Sequence, residues 1–364
     1  MSMTTKADVL ARLDLSALDT AQPLFLEVGP VRLKLRCLSP LRDELAAYFT
    51  DALAAAGGTA LTIDVLEGQG LNPAPDWIDW AREPGKTGRK DAILDLCDAR
   101  LVYKWRTGVT FLQSPDQLVA FGPGAANPNQ IINFVNTQIL NICQRDGWQI
   151  CHAAAVTNGT RTLAIAGLSG GGKSTSILRM MDIDGTAFVT NDRLLVRAAN
   201  PAPAALGIPK QPRINPGTIL HNMRLHPMLT PARLAELEAM DPSDLWELEE
   251  KHDLIVSRIY GPGRVRFDAT LTGFWVLNWQ RGGTEPTQVS EVDLTTRPDL
   301  LAAMMKSAGP FFQDATGRFL KDSDPLDEAA YLEALKGVHV SEVTGGIDFD
   351  ALHAEGQRLL GSGA

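Results

Sequence analysis

Residues 167–174 read Gly167-Leu168-Ser169-Gly170-Gly171-Gly172-Lys173-Ser174 and fit G-x-x-x-x-G-K-[ST] at every fixed position. Each residue type there has a chemical task. Glycines let successive backbone N–H groups turn inward around phosphate oxygens, and a helix beginning at the turn adds the positive end of its dipole. At this spacing Lys173 reaches the β- and γ-phosphates and Ser174 places a hydroxyl on Mg²⁺. Gly167, Ser169, Gly170, Gly171, Gly172 and Thr175 complete the expected nucleotide contacts. The apolar run 162–166 predicts a buried strand leading in, and residues 174–181 predict a helix leading out. A plain glycine-rich turn is the competing explanation; the lysine, the serine and the strand before them weigh against it. No dinucleotide-type G-x-G-x-x-G with a following acidic ribose anchor lies here. The LSGG of residues 168–171 sits inside the loop itself, so it cannot be a separate transporter signature. The site expected is one for a nucleoside triphosphate.

Phosphoryl transfer also needs a metal ligand, charge neutralisation and a group that orients the nucleophile. Asp192 is the best metal or base candidate, since it ends the predicted strand 187–190 soon after the loop helix. Its bland alternative is an Asx turn, Asn191-Asp192. His152 lies on a strand predicted over residues 148–156. If that strand pairs antiparallel with 162–166 through the turn at Asn158-Gly159, His152 comes close to the phosphate loop. A lone histidine is otherwise more often structural. Pro209-Lys210-Gln211-Pro212-Arg213 offers two cations, Lys210 and Arg213, on a proline-stiffened loop that could cover the γ-phosphate. Surface cations are the equal alternative. The turn beginning at Arg258 could close over a substrate, and its signal is weak.

Around these residues the chain divides into expected domains of 1–147, 148–298 and 299–364. The first reads as α+β: a helix over 7–18, a hairpin over 24–37, a helix over 41–56, a strand over 60–66 and a meander over 93–121. A helix over 128–143 follows, with Asn127 as its cap and Pro128 at its first position. The last reads as a helical C-terminal region, with helices over 300–305 and 328–335. An acidic helix is expected within 241–253, and strands over 264–267 and 274–279.

Composition limits the function classes. The 364 residues are 45% hydrophobic and 21% charged, as in an ordinary soluble globular protein, and long enough for two domains. A net charge of −9 argues against a nucleic-acid partner. Four scattered cysteines without a C-x-x-C pair suit a reducing compartment. Neither a basic-then-apolar leader nor an apolar run of membrane-spanning length is present, so a cytoplasmic location and no membrane partner are expected.

Taken together, His152, the strand after it, the 167–174 turn and the strand ending at Asp192 resemble the kinase domain of HPr kinase/phosphorylase. The order of elements is also similar to the nucleotide-binding part of ATP-dependent phosphoenolpyruvate carboxykinases. FVTNDRLLV and IPKQPRINPGT most closely resemble the HprK-related kinases, B group. The resemblance covers roughly residues 150–280. It implies a P-loop kinase core of HPr kinase/PEP carboxykinase type, between α/β and α+β, and the cofactors ATP and Mg²⁺. It also implies a histidine beside the reacting phosphate, carried to His152, and an acidic residue for metal binding or proton abstraction, carried to Asp192. Where the bacterial HPr enzymes have two adjacent acidic residues, this chain has Asn191-Asp192, which weakens the expectation of phosphorolysis and of HPr as substrate. The leading expectation is a kinase moving the γ-phosphoryl of ATP to a hydroxyl, with a protein serine among the candidates. An ATP-binding regulatory module and a carboxykinase-like small-molecule enzyme are the alternatives. The acceptor and any homo-oligomer are left open by the sequence.

Overall fold

The structure, a computed structural model, describes residues 3–58, 61–82, 87–167, 171–248 and 250–361. It divides into two compact units, Met1–Gly147 with Ser307–Leu326 and Trp148–Lys306 with Asp327–Ala364. No described helix is long and apolar enough to cross a membrane.

In the first unit α1 (Lys6–Leu10) starts at a reciprocal cap between Thr5 and Asp8. The helix expected over 7–18 is split, because Asp14 caps a separate 3₁₀ turn at Leu15–Leu18. β1 (Leu24–Val28) and β2 (Val31–Arg36) form the expected hairpin, with Val28 opposite Val31. In β2 every second residue is buried, the period of a sheet with one face on the core. α2 (Leu41–Tyr48) ends well short of residue 56. β3 (Leu61–Glu67), β4 (Ile78–Asp79), β5 (Asp91–Asp95), β6 (Arg100–Lys104), β7 (Thr110–Gln113) and β8 (Leu118–Gly122) complete an eight-stranded sheet. Its order is β1-β2-β3-β8-β7-β6-β5-β4, and β5 to β8 are the expected antiparallel meander. α3 (Pro128–Arg145) buries Ile131, Ile132, Val135 and Ile139 at helical spacing. Asn127 does not cap it with its side chain; that amide donates to the Pro123 carbonyl instead. Arg100, only 2% exposed, pairs with Asp95 and donates to the carbonyls of Pro310 and Leu320.

The second unit is built on two larger sheets. The strand expected over 148–156 is broken at His152 into β9 (Gln149–Cys151) and β10 (Ala153–Thr157), which belong to different sheets. β11 (Thr162–Gly167) is buried throughout and pairs antiparallel with β10. α4 (Lys173–Met181) follows, with Ile177, Leu178, Met180 and Met181 packed in the core beside Ile165. Burying each such side chain contributes roughly 1.5–3 kcal/mol. β12 (Ala187–Thr190) and β13 (Leu194–Arg197) again lie in different sheets, separated at Asn191-Asp192. Next come β14 (Ala204–Gly207), β15 (Arg213–Ile214), α5 (Pro216–Leu220), α6 (Pro231–Glu238) and α7 (Pro242–Glu247). The acidic helix expected within 241–253 is thus short, and its end forms β16 (His252–Asp253), paired with β15. α8 (Val256–Tyr260), β17 (Asp268–Thr270), β18 (Gly273–Leu277), β19 (Gln288–Glu291) and α9 (Pro298–Met304) lead to the C-terminal part.

That part is not a helical region. α10 (Glu328–Ala334) and α11 (Phe349–Leu360) flank β20 (His339–Thr344), which runs parallel to β18 inside the six-stranded sheet. Ser307–Leu326 meanwhile belongs with the first unit. The six-stranded order is β12-β10-β11-β18-β20-β19, and the four-stranded order is β17-β14-β13-β9. Residues 264–267 form no named strand; Val265 makes an isolated bridge to Phe188.

The two sheets of this unit touch where β14 passes β12. A Cβ on Gly207 would lie 1.9 Å from the Val189 carbonyl oxygen, a backbone atom that cannot move aside alone. Gly207→Ala should therefore cost about 1–3 kcal/mol of stability, read as a lower urea midpoint at unchanged slope. A midpoint equal to that of the natural chain would show that the contact is not tight.

Candidate functional site

His152, Lys173, Ser174, Asp192, Lys210 and Arg213 line one cavity of about 290 Å³, together with Asn191, Gln211 and Lys251. Five separate stretches of chain deliver them. Lys173 and Ser174 come from the first turn of α4, entered through Gly172, whose φ of 84° favours glycine. The Lys173 ammonium folds back and donates to the Gly167 carbonyl at 2.9 Å. Ser169 and Gly170 lie outside the described residues. Thr175 does not line the cavity; its hydroxyl shares a hydrogen bond of 2.8 Å with that of Thr218.

His152 and Asp192 meet because both strand pairs break at the same level. Cys151 faces Leu194 across β9 and β13, while Ala155 faces Thr190 across β10 and β12. The chain between those pairs changes sheet on both sides, leaving the two residues at the joints. His152 is pinned by its own N–H, which donates to the Met304 carbonyl at 2.7 Å. Its Nε2 lies 3.7 Å from Asp192 Oδ1, with the side chains 28% and 33% exposed.

The fourth stretch is the loop carrying Lys210 and Arg213. Gln211, buried between the two prolines, accepts the Val256 N–H at 3.1 Å and anchors it. Lys210 Nζ donates to Asp192 Oδ2 at 3.0 Å, and Arg213 pairs with Asp253 at 2.9 Å across β15 and β16. The β15–β16 pairing, which brings in residue 252, also explains the fifth contribution, Lys251. In the sequence Lys251 falls inside the stretch 241–253 expected to be an acidic helix, and nothing there marks it as a site residue. Arg258, the remaining substrate candidate, is exposed on α8 and does not line the cavity.

The electrostatics are strongly coupled. Burial works against the Asp192 charge, yet the charges of Lys210 and Arg193, the Lys210 hydrogen bond and His152 outweigh it and hold the carboxyl far below the usual range. Burial, then the charge of Lys173, pushes His152 down to about 4; Asp192 opposes this, and Lys306 and Arg193 reinforce it. Burial also lowers Lys173, with Asp192 opposing and Lys306 assisting. Lys306 and Arg193 were not legible as site residues; Lys306 is placed by its N–H donating to the Ile150 carbonyl. At neutral pH the cavity therefore combines an ionised carboxylate, a neutral imidazole and several cations, a composition suited to a polyanion.

The donor set also fits Mg²⁺ held mainly by a ligand's phosphates. Asp192 supplies one carboxylate and Ser174 one hydroxyl, and the buried Oδ1 of Asn191 has no hydrogen-bond partner. Among the described residues no group of three or more His, Cys, Asp or Glu forms a metal cage. Mg²⁺ bound by one or two carboxylates plus phosphates and water needs none.

No family model and no curated protein matches the chain. A solved structure of the Hpr(Ser) kinase/phosphatase from Coxiella burnetii is matched at 14% identity, over 58% of this chain and 97% of that chain. The TM-score is 0.26.

The depressed His152 gives a pH prediction with a definite sign. Between pH 4 and its ordinary 6.5 the unfolded chain binds this proton and the folded chain does not. His152 should therefore withdraw stability as pH falls from about 6.5 to about 4, and withdraw no more below that. Imidazole chemical shifts should show a midpoint near 4, moving lower still in Asp192→Asn, since Asp192 favours the protonated form. A midpoint above 6 would contradict the geometry.

Proposed function

We propose that this chain is an ATP-dependent kinase with an HPr kinase-like P-loop core, transferring the γ-phosphoryl of Mg·ATP to a hydroxyl acceptor. The observation that carries the reading is the convergence of Lys173 and Ser174 with His152 and Asp192 on one cavity, from three points of the chain. A glycine-rich turn of purely structural use would not need the two sheet joints to point at it.

Each residue then has a role that its environment suits. Lys173 neutralises the β- and γ-phosphates, and Lys210 and Arg213 extend the positive field over the group being transferred. Ser174 and Asp192 hold Mg²⁺, which when bound would neutralise charge developing on the phosphate oxygens. Asp192, among cations, is too weakly basic to compete for a proton. His152, uncharged at neutral pH, is the more basic of the pair and accepts the acceptor's hydroxyl proton at Nε2. The imidazolium so formed lies 3.7 Å from the Asp192 carboxylate, which stabilises it. The acceptor oxygen forms its bond to the γ-phosphorus as the bridging P–O bond breaks, and ADP leaves with its own phosphates still neutralised by Lys173.

The surplus of cations beyond Lys173 favours a second reading, an acceptor that is itself a small anion, as in a carboxykinase-like enzyme. Incubation of the chain with γ-labelled ATP and a lysate of the source cell separates these outcomes. Label on protein supports the first, and label on a small anion the second. Label released only as phosphate, or not at all, leaves a nucleotide-binding regulatory module.

Two substitutions test the assignments. Lys173→Ala should weaken Mg·ATP binding by about 1.5–3 kcal/mol in calorimetry while the fold persists. Asp192→Asn should keep nucleotide binding and lose on the order of 10²-fold or more in transfer rate. Full transfer activity in Asp192→Asn would remove the kinase reading.

A further inference from the structure

Behind the glycine turn, on the side of the C-terminal strand and helix, two aromatic rings close on the backbone of Gly171 and Gly172. The Trp279 Nε1–H donates to the Gly171 carbonyl at 3.0 Å. Trp279 is 9% exposed and meets Phe349 edge to face, with centroids 5.2 Å apart. A Cβ on Gly172 would lie 3.0 Å from Phe349 Cζ and 3.5 Å from Trp279 Cζ2. The rings thus occupy the space beside the turn that a side chain would take.

Both rings are themselves fixed. The Asn278 and Gln280 N–H groups donate to the carbonyls of Val343 and Gly345, extending the β18–β20 pairing past the residue that carries the indole. Phe349 opens α11, whose cap Asp348 accepts the N–H groups of Asp350 and Ala351. Arg179 of α4 pairs with Asp350, tying the phosphate-loop helix to the same helix start.

From this we infer that Trp279, backed by Phe349, is a positioning residue that sets the orientation of the Gly171–Gly172 peptide for phosphate binding. In a trans peptide the carbonyl and the next N–H point in opposite directions. Holding the Gly171 carbonyl toward the indole turns the Gly172 N–H away from it, to the side where phosphate is to be met. Glycine would otherwise populate either sign of φ readily, so an unclamped turn would have to be ordered by the ligand at a cost in affinity. Downstream, the carbonyl of the next peptide, that of Gly172, accepts the Ser176 N–H at 2.8 Å and starts α4. The inference rests on the nucleotide reading of the turn and adds that Trp279 and Phe349 belong to the site.

Trp279→Phe deletes the donor and keeps a ring; Phe349→Leu keeps the donor and loosens the ring. Calorimetry on the full chain with Mg·pyrophosphate and with Mg·ATP should show about tenfold weaker binding in Trp279→Phe and about threefold in Phe349→Leu, alike for both ligands. Turnover at saturating nucleotide should stay within about twofold, since the orientation is needed equally before and during transfer. Amide exchange at Gly172 in the natural chain should slow on adding Mg·pyrophosphate, a readout that survives if Trp279→Phe fails to fold. Both variants binding like the natural chain, while Lys173→Ala binds weakly, would overturn the clamp and leave the nucleotide site standing. Unchanged Gly172 exchange would also overturn it. A natural chain with no affinity for either ligand would overturn both readings.

Discussion

Two strand pairs that change sheet at the same level are the constraint on which the second unit depends. β9 and β13 pair in one sheet, β10 and β12 in the other, and the register on both sides places His152 and Asp192 at the crossing. Side chains alternate faces along a strand, so a one-residue slip at either joint would turn one of the two away. A bulge between Ala155 and Val156 absorbs the irregularity on the β10–β12 side. Gly207, lying against Val189 just upstream of the second joint, lets the two sheets approach closely enough for this to happen. The site is thus a by-product of how two sheets share one chain, and it inherits their rigidity.

Charge then decides what those joints can do. A carboxylate, an imidazole and an ammonium sit close together in a partly buried place, and each titrates lower than it would alone. Asp192 stays charged because Lys210 and Arg193 outweigh its burial; His152 stays neutral because burial and Lys173 outweigh Asp192. The chain as a whole carries −9, yet the cavity presents Lys173, Lys210, Arg213 and Lys251 around a single carboxylate. Preorganised local charge of this kind is worth more to an anionic ligand than the sign of the whole surface.

Much of this was legible in the sequence, and what was not has physical reasons. The glycine turn announces itself because its chemistry needs fixed residue types at fixed spacing. The antiparallel return from His152 followed from one turn, Asn158-Gly159, and β10 does pair with β11, Ala153 opposite Ala166. The break at His152 was not legible, since the apolar residues on either side continue without a turn signal; only the partner strands reveal it. β20 was missed because HVSEVT has just two strongly apolar residues, enough for a strand covered on part of its faces. Lys251 and Lys306 could not be assigned, because strand pairing far from the motif, not local pattern, brings them near. The early end of α2 and the split of the helix expected over 7–18 reflect local caps and turns that leucine spacing alone does not report.

Arg100 bears on how the chain can be made. Its guanidinium is almost fully buried, and two of its acceptors, the carbonyls of Pro310 and Leu320, lie 210 and 220 residues further along. A buried cation without its acceptors is unfavourable, so the first unit cannot settle into this arrangement while only its N-terminal portion has left the ribosome. At usual rates of translation the wait is roughly 10–40 s, during which most of the second unit is synthesised. The N-terminal unit begins first and is completed late: its eight strands are all made long before the two carbonyls that accept from Arg100.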